Sequence, residues 1–264
     1  MDFGLRTSAF ALLSPVFAAF LGASPSLRDN AAMASLTIEN YVKAIYKICG
    51  GVEDATAATG QVADELTVSP GTVTSMLKTL SEAGLATYAP YEGVRLTDAG
   101  TLLALRVLRR HRLIELFLVE TLRLSWDEVH DEAEHMEHSV SDLLVDRIDE
   151  FLGFPQADPH GDPIPRADGT VSATTSSSLA ASSVGRAFRL VRVIDQSPEF
   201  LRYLSDAGLP LGAELEVVSS STEGATVTVR CGGEETTLGR DAAEKLMVEE
   251  ADGRGSQVSA RVGR

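Results

Sequence analysis

The chain has 264 residues, of which 44% are hydrophobic, and a formal net charge of −15. This length predicts two or three domains with sizeable cores. The negative charge argues against non-specific coating of nucleic acid, but it allows a specific DNA reader with a local basic face and suits cation binding. Two distant cysteines, Cys49 and Cys231, exclude a disulfide framework and favour a reducing, cytoplasmic location.

Residues 1–33 are a doubtful N-terminal extension that we leave out of the predicted fold. Their apolar stretch, residues 9–22, resembles a signal peptide. It is too short, and too interrupted by Pro15, for a membrane span. The alternative is that Met33 is the true start. We expect no membrane partner.

Residues 34–100 are predicted to form a winged helix-turn-helix. A short helix over residues 59–66 is followed by a turn and by Ser69 and Pro70, an N-cap residue with proline at the first helical position. This second helix ends at Gly84, and two short strands around a Pro/Gly turn follow it. The order is typical of DNA-binding winged helices. The alternative is a generic three-helix core with an attached hairpin.

The helix that starts at Ser69 is predicted to enter the major groove. Val73, Leu77 and Leu80 repeat at helical spacing and should be buried, whereas the outer face is small and polar and can approach base edges. The predicted DNA-binding residues are Ser69, Gly71, Thr72, Thr74, Ser75, Lys78 and, in the hairpin, Arg95. Acidic residues outnumber basic ones in this region, so we expect affinity to depend on dimerisation and metal. A nearby arginine cluster can contact phosphates or form internal ion pairs: Arg106, Arg109, Arg110 and Arg112.

Two helices within residues 101–167 carry a pattern of imidazoles and carboxylates. The first, over residues 102–119, presents His111 and Glu115 at i, i+4 on one face. The second is expected to open with the capping box Ser125–Glu128. It carries four candidate ligands on one stripe: His130, Glu134, Glu137 and His138. A hairpin between the helices can bring both faces together.

Burying three imidazoles and three carboxylates on facing helices is costly unless a cation neutralises them. The nitrogen and oxygen donors suit Mn²⁺, Fe²⁺, Co²⁺ or Zn²⁺. The alternative is a solvated acidic helix face. His135 lies off the stripe, and His160, in a proline-rich turn, is expected to be structural.

The same helix lacks the motifs of helical zinc hydrolases, which use H-E-x-x-H or H-x-x-E-H. Glu134 occupies the first histidine position of the second motif. In the first motif, Asp131 follows His130 and Glu134 stands at i+4 in place of the second histidine, so both motifs fail at a ligand. We therefore predict no catalytic residues and no small-molecule substrate. A zinc-type metalloenzyme and a winged-helix regulator of another ligand stay as alternatives.

The remaining chain is predicted to contain a linker, a small β-rich domain and a disordered tail. The linker covers residues 168–184, the domain residues 185–250 and the tail residues 251–264. Four strands are expected around one short helix that starts near Pro198; they cover residues 188–194, 214–218, 225–229 and 246–249.

Several segments together resemble the DtxR/MntR family of iron- and manganese-dependent repressors. They are Ser35–Tyr46, the helix-turn-helix, Leu96–Gly100, Arg110–Glu115, Val129–His138 and His160–Pro165. The resemblance covers about residues 35–166, and residues 185–249 are similar to the family's SH3-like, FeoA-type third domain. It implies a mainly α fold: a winged helix-turn-helix, a helical metal-binding and dimerisation domain, and a C-terminal SH3-like β-barrel. It also implies a homodimer that binds palindromic operator DNA when loaded with Mn²⁺ or Fe²⁺, with Co²⁺, Ni²⁺ or Zn²⁺ as substitutes in vitro, and represses metal homeostasis genes.

The resemblance also implies ligands. His111, Glu115 and His130 match one family metal site, and Glu134, Glu137 and His138 match the other. Glu134 stands where iron-type members carry Cys and manganese-type members carry Glu. Asn40 stands at an N-terminal ligand position, and Glu199 is the candidate from the third domain, with Gln196 behind it. Apolar residues of the 139–152 helix are expected either to form the dimer interface or to pack internally: Val140, Leu143, Leu144 and Phe151.

Overall fold

The computed structural model describes residues 25–52, 54–173 and 175–251. It divides the chain into two compact units, one up to Ala104 and one from Leu105 onward. Within the described residues, no helix combines the length and the apolar character needed to span a bilayer. The apolar stretch 9–22 and most of the predicted tail, residues 252–264, lie outside the described residues.

The first unit consists of helices and one two-stranded hairpin. Its elements are α1 (Pro25–Ile48), α2 (Thr59–Glu65), α3 (Pro70–Glu82), β1 (Ala86–Ala89), β2 (Gly93–Leu96) and the start of α4 (Asp98–Phe117). The strands pair antiparallel, with Ala86 opposite Leu96. α4 begins directly against the hairpin, because a Cβ on Gly100 would lie 1.9 Å from the Leu85 carbonyl oxygen. The predicted winged helix-turn-helix is confirmed.

Local signals in the sequence account for α3. The Ser69 hydroxyl accepts a hydrogen bond from the Thr72 amide at 3.2 Å, and Pro70 occupies the first turn. Val73, Leu77 and Leu80 are fully buried, as their spacing predicts. Gly84, with φ of +72°, ends the helix in the left-handed conformation that glycine favours.

The N-terminal helix is longer than expected. α1 begins at Pro25, so residues 25–33, which we left out of the predicted fold, are helical. Proline at the first helical position needs no amide partner, and no further proline or glycine interrupts the helix before Ile48.

The second unit continues with a helical region. The rest of α4 runs into a π-helical turn (Leu118–Leu122), and α5 (Val129–Met136) and α6 (Asp142–Phe151) follow. Arg123, with φ of +61°, reverses the chain after the π-turn. The capping-box prediction is wrong in part: the Glu128 carboxylate does accept from the Ser125 amide at 3.1 Å, but α5 begins only after Glu128. The Ser125 hydroxyl donates to that carboxylate and so caps no helix amide.

A sheet domain, residues 177–250, completes the second unit. Its strands are β3 (Ser177–Ser178), β4 (Ala187–Val193), β5 (Glu214–Ser221), β6 (Thr226–Cys231), β7 (Glu234–Gly239) and β8 (Leu246–Glu250), with helices α7 (Pro198–Asp206) and α8 (Arg240–Glu244). The strand order β3-β8-β4-β5-β6-β7 is open. The expected closed barrel is therefore corrected to an open sheet, because β3 has only two residues and pairs with β8 alone among the described strands.

Part of the predicted linker belongs to this sheet domain. Leu179 and Ala180 form a 3₁₀ turn after β3, and both are buried in the domain core. The Ser/Thr-rich composition hides this apolar pair. Strand β7 was not predicted either, because its first four residues are Glu and Thr and it has only one buried position, Leu238.

The segment 158–162 lies against the edge of the sheet domain. Gly161 has φ of +86°, and a Cβ there would lie 2.0 Å from the Val191 carbonyl oxygen, so only glycine fits. The Val193 amide donates to the His160 carbonyl oxygen at 2.9 Å. The sheet domain is thereby held next to the helical region of the same unit.

Candidate metal centre

Apolar contacts between α4 and α5 set the position of the polar cluster. Ile114 of α4 and Leu118 of the π-helical turn pack with Val129 and Ala133 of α5, and all four are buried. On the first helix, His111 and Glu115 are spaced i, i+4 and lie beside the apolar stripe. On α5, His130 and Glu134 have the same spacing and also lie beside the apolar stripe. Packing of the apolar stripes therefore brings the polar stripes together.

Group A consists of His111, Glu115 and His130, whose potential ligand atoms all lie within 4.8 Å of one another. His111 Nε2 is 2.9 Å from Glu115 Oε1 and 3.2 Å from His130 Nδ1. His130 Nδ1 is 3.2 Å from the same Glu115 oxygen. Three donors thus face a common point.

Group B consists of His111, Glu134 and Glu137, again within 4.8 Å. His111 Nδ1 is 2.6 Å from Glu137 Oε2 and 3.7 Å from Glu134 Oε1. His138 Nε2 lies 3.1 Å from the other Glu137 oxygen. The structure therefore gathers all six predicted ligands. The sequence predicted a helix that continues through His138, but α5 ends at Met136, so Glu137 and His138 lie in the turn that follows it.

Group C consists of Glu115, Asp158 and His160, which are all buried and lie within the same distance of 4.8 Å. His160 Nε2 donates to the Trp126 carbonyl oxygen at 2.7 Å, and its Nδ1 points to Glu115 Oε2 at 3.7 Å. The imidazole of His160 stacks on the indole of Trp126, with ring centroids 6.3 Å apart. Sequence reasoning treated His160 as structural and missed Asp158. The signal was present as a carboxylate and an imidazole two residues apart in the turn.

Two carboxylates of these groups, Glu115 and Asp158, have opposite pKa shifts. Burial raises the pKa of Glu115, but the neighbouring imidazoles of His111, His130 and His160 outweigh it and bring that pKa well below the usual value. Burial, with the negative charges of Glu115 and Asp162, raises the pKa of Asp158 to about 7. Burial lowers the pKa of His160, yet Glu115 and Asp158 reverse this and the net shift is upward. Excess negative charge is thus concentrated between Glu115 and Asp158.

Two further predicted ligands do not join these groups. The side chain of Glu199 is 82% exposed and lies 3.7 Å from Arg202. Gln196 instead donates to Asp162 Oδ2 at 3.2 Å, beside group C. Asn40 is half-buried on α1 in the first unit, and its role as a ligand stays a prediction. His135 is exposed, in agreement with its position off the stripe.

Three of the four arginines near group A form internal ion pairs. Arg109 pairs with Asp146 and Asp149, and Arg110 with Asp142 at 2.8 Å. Arg112 pairs with Asp162 at 3.0 Å and donates to the Pro163 carbonyl oxygen. Of the two roles predicted for the arginine cluster, phosphate contact or internal ion pairing, these three side chains have the second.

The predicted DNA-facing residues are mostly accessible in the first unit. All are exposed except Thr74, which is half-buried because its hydroxyl donates to the Pro70 carbonyl oxygen at 2.9 Å. Arg95 on the wing pairs with Asp54 at 3.0 Å. An exposed ion pair of this kind contributes little stability, so Arg95 can release Asp54 and bind a DNA phosphate instead.

The donor set fits a divalent transition-metal ion. Glu115 Oε2 and His160 Nδ1 are buried and have no hydrogen-bond partner among the described residues, which is costly unless a cation neutralises them. Imidazole and carboxylate donors without thiolate suit such ions. Together with the winged helix-turn-helix, these groups define the class of metal-dependent DNA-binding regulators.

Comparison with known proteins specifies the family. Family models match over three regions: "Iron dependent repressor, N-terminal DNA binding domain" over residues 33–94, "Iron dependent repressor, metal binding and dimerisation domain" over 97–166, and "FeoA domain" over 178–250. The chain belongs to the DtxR/MntR family of metal-dependent transcriptional repressors, which are not enzymes.

Individual relatives align over nearly their whole length. The chain is 29% identical to the diphtheria toxin repressor of Corynebacterium diphtheriae, over 81% of this chain and 97% of the relative. It is 30% identical to the iron-dependent repressor IdeR of Mycobacterium tuberculosis, over 81% and 96%. A solved manganese-dependent transcriptional repressor in complex with manganese is 39% identical, with a TM-score of 0.74 over 81% of this chain and all of that one.

Proposed function

We propose that this chain is a cytoplasmic repressor that binds operator DNA as a homodimer when loaded with Mn²⁺ or Fe²⁺, and controls metal homeostasis genes. The observation that carries the proposal is the convergence of six predicted ligands, from α4, α5 and the turn after α5, on His111 and its neighbours. A bound metal ion supplies the positive charge that neutralises the buried carboxylates. Its higher affinity for the DNA-competent state would then favour that state.

The oxygen of Glu134 supports Mn²⁺ in particular. Soft sulfur ligands favour other metals, whereas carboxylates suit Mn²⁺. Among the proteins compared above, one is named manganese-dependent and another iron-dependent. Mn²⁺ is therefore the first ion to test, and Fe²⁺ the second.

An exposed apolar face of α6 supports a homodimer. Leu143 and Phe151 are each 70% exposed and Leu144 is 48% exposed. Val140, which we also considered for the interface, packs inside the helical region instead. Large exposed apolar side chains on one helix are typical of an interaction surface. We propose that the two copies meet through this face and that the dimer binds operator half-sites about one DNA turn apart through its two α3 helices.

The central experiment measures operator affinity with and without Mn²⁺. An operator is first selected from random duplexes with wild-type protein and Mn²⁺, and binding is then followed by fluorescence anisotropy of labelled DNA. Wild type should bind at least tenfold more tightly with Mn²⁺. His111→Ala should lose this response, because groups A and B both contain His111.

His135→Ala is the matched control, since it removes an exposed imidazole from the same region. It should respond to Mn²⁺ like wild type. Equal, Mn²⁺-independent binding by all three proteins would reject the metal-sensor function and favour a winged-helix regulator of another ligand.

The DNA-reading surface has its own test. Ser75→Ala should weaken binding to the selected operator without changing the number of bound Mn²⁺ ions, because Ser75 is exposed on α3 in the first unit. A changed ion count would show that the assigned recognition surface is wrong.

A further inference from the structure

The turn between β1 and β2 carries an aromatic side chain that takes no part in the packing of the first unit. Tyr91 is 108% exposed, which is more than any other large apolar or aromatic residue that the structure describes. Aromatic side chains stabilise a protein by burying their rings in a core or an interface. Packing among the described residues therefore gives no reason for a tyrosine at this position.

The backbone of this turn also disfavours a tyrosine. The Glu92 amide donates to the Ala89 carbonyl oxygen at 3.1 Å, so Pro90 is the second residue of the turn and Tyr91 the third. Tyr91 has φ of +69°, and turns of this kind favour glycine or asparagine at the third position. A bulky residue with positive φ is strained, and such strain is typical of functional sites. The tyrosine therefore lowers the stability of the turn that presents it.

The hairpin that carries Tyr91 is fixed to α3. Val94 of β2 is buried in the same core as Leu80 of α3. Val94 also exchanges two backbone hydrogen bonds with Ala57, at 2.8 and 2.9 Å. Gly93 lies so close to this segment that a Cβ would be 2.6 Å from the Ala57 carbonyl oxygen. Tyr91 is thus held on a supported hairpin beside the helix that is predicted to enter the major groove.

The side chains of the hairpin match the backbone of duplex DNA. That backbone alternates anionic phosphates with uncharged deoxyribose rings. Arg95 is the only basic residue between Ala86 and Leu96, and its exposed pair with Asp54 leaves it available to a phosphate. Tyr91 presents an uncovered ring, which can pack on the apolar edge of a deoxyribose. The cation and the aromatic ring of one hairpin therefore suit two neighbouring parts of one DNA strand.

We propose that the ring of Tyr91 packs on a deoxyribose of the operator, beside the groove that α3 reads, and that the strained turn is kept for this contact. The inference rests on the proposed operator binding and deepens it, because Tyr91 is not among the DNA-binding residues predicted from the sequence. A contact with a sugar reads no base and releases no counterion. It should add affinity without adding sequence specificity or salt dependence.

The test measures stability and operator affinity for the same variants of the full-length protein. Tyr91→Gly removes the ring and adopts the positive φ without strain, so its urea midpoint of unfolding should be at least as high as that of wild type. Its dissociation constant for the selected operator with saturating Mn²⁺ should nevertheless rise about tenfold, measured by fluorescence anisotropy. Tyr91→Phe keeps the ring and should bind like wild type. A residue that only supports the fold would lose stability and affinity together.

The salt dependence of binding separates the ring contact from a charge contact. A plot of the logarithm of the dissociation constant against that of the salt concentration should keep its slope in Tyr91→Gly. Arg95→Ala should reduce the slope by about 1 for each phosphate contact that is lost. The affinity loss of Tyr91→Gly should also be the same on random duplex as on the operator, because a deoxyribose carries no sequence information.

Tyr203→Ala is the matched control, since it removes an exposed tyrosine from α7 of the sheet domain. It should bind the operator like wild type. Four results would each overturn the ring contact: unchanged affinity of Tyr91→Gly, a lower urea midpoint of Tyr91→Gly, a changed salt slope, or an equal loss in Tyr91→Phe. Each of them leaves operator binding by wild type intact. If wild type with Mn²⁺ binds no operator, the proposed function fails as well.

Discussion

The core of the sheet domain and the region around groups A, B and C both contain buried side chains, but of different kinds. The sheet domain buries only apolar residues in its core, such as Leu190, Leu201 and Val229. The helical region buries Glu115 and Glu137 beside His111. Apolar burial stabilises the fold under any ionic condition. Buried carboxylates stabilise it only when positive charge is near.

The largest expected effect tests the apolar side of this comparison. Leu190→Ala removes a fully buried side chain from β4 and should lower the free energy of unfolding by about 2 to 5 kcal/mol. The loss should be the same with Mn²⁺ and with a chelator, as measured by urea denaturation. A loss that appears only in the chelator would show that the sheet domain also depends on the ion.

The next effect tests the polar side. Mn²⁺ at about one hundred times its dissociation constant should raise the free energy of unfolding of wild type by about 2.7 kcal/mol, because it binds only the folded state. His111→Ala should lose most of this gain and His135→Ala none. Thermal denaturation with and without Mn²⁺ measures this gain in the free energy of unfolding for each protein. An unchanged gain in His111→Ala would place the stabilising ion elsewhere.

A pH dependence should distinguish the two regions further. The folded pKa of Asp158, about 7, lies above the 3.8 of a free aspartate side chain, so the folded state retains this proton more strongly than the unfolded chain does. The resulting stability is present at low pH and is lost as the pH rises towards 7. In chelator, wild type should lose about 2 kcal/mol between pH 5 and pH 7 relative to Asp158→Asn.

Denaturation midpoints at several pH values provide this measurement. Leu190→Ala should follow the wild-type pH profile, because neither side chain has a titratable group. Parallel profiles for wild type and Asp158→Asn would contradict the raised pKa.

The smallest expected effect lies where the two regions meet. The Trp126 Nε1–H donates to the Ser205 hydroxyl at 3.0 Å, on the exposed side of α7. Ser205→Ala should lower the free energy of unfolding by about 0.5 to 1 kcal/mol, since the indole can turn to water instead. Ser220→Ala, an exposed serine on β5, is the control. A loss above about 2 kcal/mol would show that this single bond carries the domain contact.

The sequence predicts well those features that depend on local spacing. Ser69 and Pro70 mark the start of α3, and the i, i+4 pairs of α4 and α5 mark the faces that meet in groups A and B. Both signals act within one or two helical turns, where the backbone geometry is fixed by the hydrogen-bond pattern. The structure therefore agrees with the sequence at these positions.

Features that depend on contacts between distant segments were not predictable. Asp158 and His160 join Glu115 only because segment 158–162 passes close to β4 at Gly161. Strand β7 lacks an apolar pattern of its own and forms because β6 supplies its hydrogen-bond partners. No spacing rule within either segment contains this information.

Trp126 is the only tryptophan in the chain. It lies against the core of the sheet domain, its carbonyl oxygen accepts from His160, and its ring stacks on the same imidazole. The intrinsic fluorescence of the unlabelled protein therefore originates at one place, where the α4–α5 hairpin, segment 158–162 and the sheet domain touch. A shift of the emission towards that of indole in water would signal separation of these three parts, with no probe attached.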